Sequence, residues 1–577
     1  MERQNDRRGL SVRSLTWPAF VGVICIILAG CVGSQRPYHT ATGKLPHISG
    51  PLGAKDSFYS YPQLEAKLTS LRKTYGSGHK PSLLKVASIG KSWEGRDIYA
   101  MKISHNSEKN DRDKPDILLM GGIHACEWIG IETMMYFAER LLTGYGKDDY
   151  VTYILDNAEI WIVPVANPDG FVYSRKEGDD RHRLWRKNRR PLKDGSVGVD
   201  LNRSFPHRWR LSGDRPDSVA DDIGGSDNPD SRFYRGVADP NNPHKRAMVE
   251  KETQALINLV DNPRHNFAMA IDYHSYSEKI LYPPSYSREL PNKDLETFRH
   301  IAEGMAELIN RQRGNVRGGL LGGLLTPENR YEALHSGRFY TEVCTGTSTD
   351  FFYETRGLIA LGVELSPRFS LANYRNGKGY KISAKEIGPV GEENFPAMLM
   401  AVDWAIGPAR MERITVRQAG KTAYEAHWNA SGEIVDSADN SAITGKVDVA
   451  LVFSKPVVLH PRYALVRDRA GVRNVSLVGP EGAAFNSSGP GKWSRTNYQN
   501  DTFTVSINVP EATGDRFKFD LAAFNIALRD SNGFDLDLEP GTRAIYVTGE
   551  GLWVNYEKTK NHKPPINREK LVGKVGH

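Results

Sequence analysis

The sequence of 577 residues has only four cysteines, and this scarcity excludes one class of fold. Cys25 lies in an apolar segment near the N-terminus and Cys31 follows that segment, which leaves Cys126 and Cys344 for the rest of the chain. Two cysteines cannot form the several disulfides that hold small secreted domains together. The fold must therefore rest on hydrophobic cores, and the length is sufficient for two or more domains.

The sequence also lacks a strong charge of either sign. Its net charge is +7, from 76 lysines and arginines against 69 aspartates and glutamates. A balance this small for the length does not indicate a nucleic-acid partner. The hydrophobic share of 39% is ordinary for a globular protein, and no internal repeat is visible. We therefore expect a globular protein that does not bind nucleic acid.

The chain has no apolar run at its N-terminus that is long enough to span a membrane comfortably. The run from Trp17 to Leu28 is short, and it is preceded by Arg3, Arg7, Arg8 and Arg13. A positive segment followed by a short apolar segment is typical of a signal peptide. The sequence predicts that residues 1–30 are such a peptide.

The end of this apolar run, Leu28-Ala29-Gly30-Cys31, resembles a bacterial lipobox. In that motif the cysteine becomes the lipidated first residue of the mature chain, so we expect Cys31 to anchor the protein to a membrane. Val32 at the next position resembles an outer-membrane address, which predicts a lipoprotein of the bacterial cell envelope. The alternative is an uncleaved anchor helix with a chance cysteine.

Composition and periodicity divide the remainder into four parts. Residues 31–56 are rich in glycine, proline and serine and are interpreted as the lipidated cysteine and its tether. In residues 57–407 apolar strands alternate with helices, which predicts an α/β domain whose mixed twisted sheet is covered by helices on both faces. Residues 408–557 show period-2 runs and predict an all-β sandwich-like domain, and residues 558–577 a loose tail.

Two histidines and two glutamates follow apolar strands of the predicted α/β domain. His124 comes after the strand DILLMGG with Glu127 in the first turn of the next helix, His274 ends the strand NFAMAIDYH, and Glu364 ends LIALGVEL. Sites in open α/β sheets form at the carboxyl ends of strands, so we expect these side chains to meet. Two histidines and a carboxylate suit a catalytic zinc ion, and a further glutamate is suited to remove a proton from the attacking water. Taken alone, the first pair is better explained as a helix-capping glutamate near a surface histidine.

Six motifs in order make residues 58–406 resemble the zinc carboxypeptidases of the carboxypeptidase A/B type. The motifs are GGIHACEWIG (121–130), PVANPDGF (164–171), RLWRKNRR (183–190), GVDLNRSF (198–205), DYHSYS (272–277) and VELSPR (363–368). Carboxypeptidase A itself holds its catalytic zinc with two histidines and a glutamate, so the ligand set matches a known case. The resemblance implies one Zn²⁺ per catalytic domain and cleavage at the C-termini of peptides or proteins.

The resemblance assigns a role to each matching residue. It implies His124, Glu127 and His274 as zinc ligands, Glu364 as the general base and Arg186 as the group that stabilises the oxyanion. It further implies that Asn202 and Arg203 bind the terminal carboxylate of the substrate. Asp200 would orient His124, and the outer subsites and specificity pocket would include Ser275, Tyr276 and Thr349.

The sequence departs from the family pattern at three positions. Cys126 stands where the family usually has an arginine, and Thr349 is neither the aliphatic nor the acidic residue found at the base of the pocket. Counting back from Asp350 puts Glu342 at the position of the family's mobile tyrosine. Either Tyr340 takes that role from two residues earlier, or the role is absent. A disulfide between Cys126 and Cys344 also stays open.

Two rival functions remain at this point. Relatives of this fold cut amide bonds in peptidoglycan stem peptides, which also end in carboxylates. A lipoprotein of the envelope that binds its ligand without turnover is the second alternative.

Overall fold

A computed structural model describes residues 55–407, except 113, 178–179, 210–224, 290–293, 317–329, 340–342, 369 and 371–376. It also describes residues 39–40 and the strand segments between 411 and 554. The signal peptide, Cys31 and the tail from 558 lie outside the described residues, so those predictions remain predictions. Among the helices that are described, none is long and apolar enough to cross a membrane.

An eight-stranded sheet forms the centre of the α/β part. Its strands are β1 (Leu84–Lys91), β2 (Asp97–Ile103), β3 (Asp116–Gly121), β4 (Glu159–Val163), β5 (Phe267–Ser275), β6 (Lys279–Tyr282), β7 (Glu332–His335) and β8 (Ile359–Leu365). Their order across the sheet is β7-β6-β8-β5-β3-β4-β2-β1. Four adjacent strands run parallel to one another: β8, β5, β3 and β4. On one side of this set β6 pairs with β8 in the antiparallel direction, and on the other side β2 pairs with β4 in the same way.

Helices cover the sheet on both faces, as the sequence predicted. They are α1 (Tyr61–Tyr75), α2 (Trp128–Gly144), α3 (Asp149–Asn157), α4 (Pro168–Ser174), α5 (Lys251–Val260), α6 (Leu295–Val316), α7 (Ser348–Arg356) and α8 (Ile387–Ile406). Alternate residues of β3 supply both cores, since Ile117 and Leu119 pack with α2 and α8, whereas Leu118 and Met120 pack with α5 and α7. The predicted mixed sheet between two helical layers is confirmed.

The segment after α8 contains strands and is all-β where it is described. Six strands form one antiparallel sheet: Met411–Gln418, Lys421–Trp428, Ile434–Ala438, Gly445–Phe453, Lys492–Ser494 and Thr502–Val509. Val449 pairs with Val505 and Leu451 with Phe503, so the two period-2 runs of the sequence are neighbouring strands. Val447, Val449 and Leu451 are buried, as their alternation predicts.

Candidate active site

The candidate site lies at the carboxyl ends of β3, β5 and β8, which are adjacent in the sheet. Gly122 follows β3 with a φ of +62°, a left-handed conformation that glycine adopts without strain, and the chain then turns towards His124. Gly130 allows the next helix to approach β5 closely, because a Cβ atom there would lie 2.8 Å from the carbonyl oxygen of Tyr273. The glycines of GGIHACEWIG therefore bring His124 and Glu127 to the end of β5.

Three buried side chains converge at this point. The Nδ1 atom of His124 lies 3.0 Å from Glu127 Oε1, and the Nδ1 atom of His274 lies 3.0 Å from Glu127 Oε2. The two Nδ1 atoms are 3.0 Å apart, and the three groups together could hold a metal ion. Atoms bound at about 2.0–2.1 Å to one tetrahedral zinc ion are about 3.3 Å apart, so the donor set and its spacing fit zinc.

Glu127 occupies the N-cap position of α2 and not its first turn, which corrects the sequence-based expectation for this residue. An N-cap side chain commonly accepts a hydrogen bond from the helix backbone, but the Glu127 carboxylate makes no such bond. Its oxygens face the two histidines and accept the backbone N–H of Ser275 at 3.2 Å. Glu127 is therefore the N-cap residue by position, but the interpretation that its side chain caps the helix is wrong.

Asp200 connects the metal group to Arg186. Its Oδ1 atom lies 3.2 Å from His124 Nε2, and its Oδ2 atom accepts a hydrogen bond from Arg186 Nε at 2.8 Å. Burial alone would raise the pKa of Asp200, but the charges of Arg186 and His124 hold this pKa well below its usual range. A charged Asp200 fixes the imidazole of His124 with its Nδ1 atom towards Glu127.

Asp272 plays the corresponding part for His274, although it was not among the residues predicted from the sequence. Its Oδ2 atom lies 3.0 Å from His274 Nε2 and accepts a hydrogen bond from Ser348 Oγ at 2.6 Å. Burial lowers the pKa of His274, but Asp272 and Glu127 raise this pKa well above its ordinary value. A signal was present in the sequence, because residues two apart in a strand share a face.

Glu364 lies beside the metal group. In the parallel pairing of β8 with β5, Glu364 is the register partner of His274. Glu364 is buried, with 9% of the residue exposed. The sheet therefore puts a second carboxylate next to the three converging donors.

The two residues expected to bind a substrate carboxylate lie in a short 3₁₀ turn after Asp200, Leu201–Arg203. Asn202 Nδ2 lies 3.2 Å from His274 Nε2, and its Oδ1 atom accepts the backbone N–H of Ser348 at 2.8 Å. Arg203 Nη1 donates to the carbonyl oxygen of Asn202 at 2.8 Å, and its side chain is buried. The Asn202 side chain is therefore held by contacts within the site. Arg203 supplies the positive charge that the binding of a substrate carboxylate needs.

The remaining predicted positions have different surroundings. Ser275 and Tyr276 follow His274 directly and are buried, and the Tyr276 ring packs edge-on against Tyr380 at 5.1 Å. Thr349 is half-buried in α7, with its Oγ1 atom 3.4 Å from Thr347 Oγ1. Tyr340 and Glu342 lie outside the described residues.

Cys126 and Cys344 are separate, buried thiols in the structure. Burial raises the pKa of Cys126 to about 11, and it also raises the pKa of Cys344. Both side chains are therefore neutral at ordinary pH and act as small apolar residues.

The site also includes three residues that were not predicted from the sequence, Arg232, Phe233 and Tyr380. Arg232 Nη2 donates to Tyr380 Oη at 3.4 Å, and Phe233 lies 5.2 Å from the guanidinium carbon of Arg186. These residues lie outside the six motifs, so none of the motifs indicated them. Only the folded loops bring them to Arg186.

Comparison with known proteins agrees with this geometry. Residues 75–397 match the family described as zinc carboxypeptidase. An inactive metallocarboxypeptidase ECM14 of Ajellomyces capsulatus (strain NAm1 / WU24) is 33% identical over 337 residues, which are 57% of this chain and 51% of that protein. The protein of the same name from Saccharomyces cerevisiae is 27% identical over 57% of this chain and 67% of its own length.

This chain thus spans about half the length of the first fungal relatives that it matches. Among solved structures, thrombin activatable fibrinolysis inhibitor (TAFI) superposes with a TM-score of 0.50 at 25% identity, over 61% of this chain and 75% of that one. The family match includes more than half of the present sequence and all the residues that converge at the candidate site. The chain belongs to the zinc carboxypeptidase family.

Proposed function

We propose that this protein is a zinc-dependent carboxypeptidase that releases the C-terminal residue of peptides or proteins. The observation that carries this proposal is the convergence of His124, Glu127 and His274, with Glu364 in register beside His274. Zinc at this site supplies a Lewis acid that polarises a carbonyl group and lowers the pKa of a water molecule. The chain's own residues would perform the remaining steps.

Arg203 would bind the terminal carboxylate of the substrate and so select the last peptide bond. Its guanidinium is buried, so an ion pair formed there is screened little by solvent. A positive charge in this position distinguishes a free C-terminus from an internal segment, which has no carboxylate. The proposed specificity is therefore that of an exopeptidase.

Glu364 would take a proton from the attacking water and pass it to the nitrogen of the leaving residue. Arg186 would donate hydrogen bonds to the oxygen that gains negative charge during the attack. Its Nε atom is committed to Asp200 and its Nη1 atom lies 3.5 Å from Glu127, so the guanidinium is held in place before substrate arrives. Asp200 and Asp272 would fix the two imidazoles.

The experiment compares peptides that differ only at the C-terminus. The purified, zinc-loaded chain is incubated with muropeptides and with a mixed set of peptides bearing either a free carboxylate or an amide, and products are followed by mass spectrometry. The proposal expects loss of single residues from free peptides and none from amidated ones. Cleavage of both forms at internal bonds would contradict the role of Arg203, and cleavage of muropeptides alone would move the function to peptidoglycan.

A second candidate function is binding without turnover, and the names of the fungal relatives favour it, since they are called inactive. The presence in this chain of Glu364 beside the converging donors supports catalysis instead. Zinc content and peptide binding would be the same for both candidates. Only the rate of peptide hydrolysis, compared with that of a Glu364→Gln variant, separates them.

The location at the bacterial envelope is also a proposal, drawn from the tetrad that ends at Cys31. If Cys31 carries lipid, cells that express the chain and are fed labelled palmitate yield labelled protein, and a Cys31→Ser variant stays unlabelled. Equal labelling of both proteins would contradict the lipobox.

The domain limits 57–407 and 408–557 are proposals of the same kind, to be tested by limited proteolysis.

A further inference from the structure

Two more arginines lie on the side of the metal group where Cys126 and Tyr380 are found. Arg183 Nη1 donates to the carbonyl oxygen of Cys126 at 2.7 Å, and Arg183 also bonds the carbonyl oxygen of Tyr380. Its guanidinium stacks 3.7 Å from the centre of the Trp128 ring. Arg183 is therefore fixed beside the segment that carries Glu127.

Arg232 reaches the same place from a compact loop, Ser226–Arg235. Backbone hydrogen bonds close this loop, from Ser226 N to Phe233 O at 2.9 Å and from Arg235 N to Ser226 O at 3.0 Å. A further bond from Asp200 N to Tyr234 O, at 2.7 Å, ties the loop to the active-site framework. Arg232 is thus held by the fold and is half-buried at the site's edge.

Phe233 sets the spacing between Arg232 and the oxyanion-binding candidate Arg186. The two guanidinium carbons lie 5.4 Å and 5.2 Å from the centre of its ring. The two guanidinium carbons share one ring, and an extended peptide advances about 3.3 Å per residue, so we expect a side chain one or two positions before the bond at Arg186 to be within range of Arg232. The loop therefore places the Arg232 guanidinium where we expect the side chain of a substrate residue just before the scissile bond.

The arginines of the site form two groups, Arg203 in one and Arg183 with Arg232 in the other. Arg203 follows Asn202 in the 3₁₀ turn beside His274, whereas Arg183 and Arg232 both bond Tyr380. Arg203 is the proposed partner of the terminal carboxylate, so the released residue lies at its end. We expect the rest of the substrate to extend on the side of Tyr380, Arg183 and Arg232.

We propose that Arg232, supported by Arg183, recognises an acidic side chain one or two residues before the scissile bond. This inference rests on the proposed carboxypeptidase function and narrows its substrates to chains with aspartate or glutamate close to the C-terminus. The guanidinium of Arg232 binds the carboxylate by charge-assisted hydrogen bonds. Tyr276 and Tyr380 form an aromatic wall beside it.

The test uses the zinc-loaded full-length chain and five-residue peptides that differ only in Glu, Gln or Lys at the second-last or third-last position. The expected kcat/KM is about tenfold higher for the best Glu peptide than for its Gln counterpart, because a hydrogen bond to a charged group contributes on this scale. Arg232→Gln should remove this difference, and Arg232→Lys should keep part of it. Arg72→Gln, an exposed arginine on α1, is the matched control and should keep it whole.

Failure of this inference is distinguishable from failure of the proposed function. Release of the C-terminal residue at equal rates from Glu and Gln peptides overturns the acidic subsite and leaves the carboxypeptidase. A tenfold preference that survives in Arg232→Gln overturns the assignment to Arg232. If no peptide is cleaved, the proposed function fails, and binding of the same fluorescently labelled peptides decides the subsite: tighter binding of Glu that is lost in Arg232→Gln supports it, and equal binding overturns it.

Discussion

Replacing Asp200 by asparagine should weaken zinc binding and folding together. The Asp200 carboxylate is fully buried between Arg186 Nε and His124 Nε2, and it also accepts the backbone N–H of Asn202 at 3.0 Å. An amide keeps the shape but loses the charge, and its NH₂ group would face another donor. The variant therefore leaves a buried guanidinium with less compensation and His124 without its anchor.

These contacts allow an estimate of both losses, the one in folding stability and the one in zinc affinity. Removing one partner of a buried ion pair costs about 3–5 kcal/mol, and the lower end applies here because Arg186 retains Glu127 at 3.5 Å. Losing the group that orients a metal-binding histidine costs about 10- to 100-fold in metal affinity. We expect a free energy of unfolding about 3 kcal/mol lower and a zinc Kd at least tenfold higher.

Two measurements check these numbers. Urea unfolding of the metal-free protein gives the change in stability, and competition with a chelating indicator gives the zinc Kd. Asp169→Asn is the matched control. Asp169 is equally buried, but it accepts its hydrogen bonds from the Ser92 hydroxyl, the backbone N–H of Glu94 and the Arg96 guanidinium. Asp169→Asn should lower the free energy of unfolding and leave the zinc Kd unchanged. If Asp200→Asn and Asp169→Asn have the same zinc Kd, the orienting role of Asp200 is refuted.

Three further predictions concern substrate binding, pH and the core. Arg203→Gln should raise the KM for peptides with a free C-terminus by about 10- to 100-fold, measured by initial rates, and an unchanged KM would remove Arg203 from the carboxylate site. Burial raises the pKa of Glu252 from 4.5 to about 7, so the folded state holds the proton longer than the unfolded state and stability falls as pH rises through that window. Urea unfolding at pH 5 and pH 7.5 should therefore show a larger loss for the wild type than for Glu252→Gln; a parallel loss in both would contradict the assignment. Leu361→Ala, at a fully buried position of β8, should lower the free energy of unfolding by about 2.7–5 kcal/mol, and a loss below about 1 kcal/mol would mean that this strand is poorly packed.

The sequence was most informative where the pattern was local. Helix α1 runs from Tyr61 to Tyr75 in the part where alternating strands and helices were predicted, and Ser60 and Gln63 form its capping box. The continuous apolar runs of β3 and β8 likewise predicted buried strands, and their carboxyl ends predicted where His124 and Glu364 would lie. These predictions succeeded because each depends on residues within one element or on a general property of parallel sheets.

Features that depend on contacts between distant segments could not be predicted in the same way. The pairing of Asp272 with Ser348 joins a strand to a helix 76 residues further along the chain. Arg232 comes to Tyr380 and Arg186 only because the Ser226–Arg235 loop folds back onto Asp200. The exact position of Glu127 at the N-cap also required the turn geometry, since periodicity does not locate a helix start to one residue.

The measurement that tests the central claim most directly is peptide hydrolysis by the wild type and Glu364→Gln at equal zinc content. The proposed mechanism predicts release of C-terminal residues by the wild type, loss of activity with a chelator, recovery with zinc, and a rate about 10²- to 10⁴-fold lower for Glu364→Gln. Zinc bound by both proteins with no hydrolysis of any peptide or muropeptide by either would contradict it and identify a binding protein with a carboxypeptidase fold.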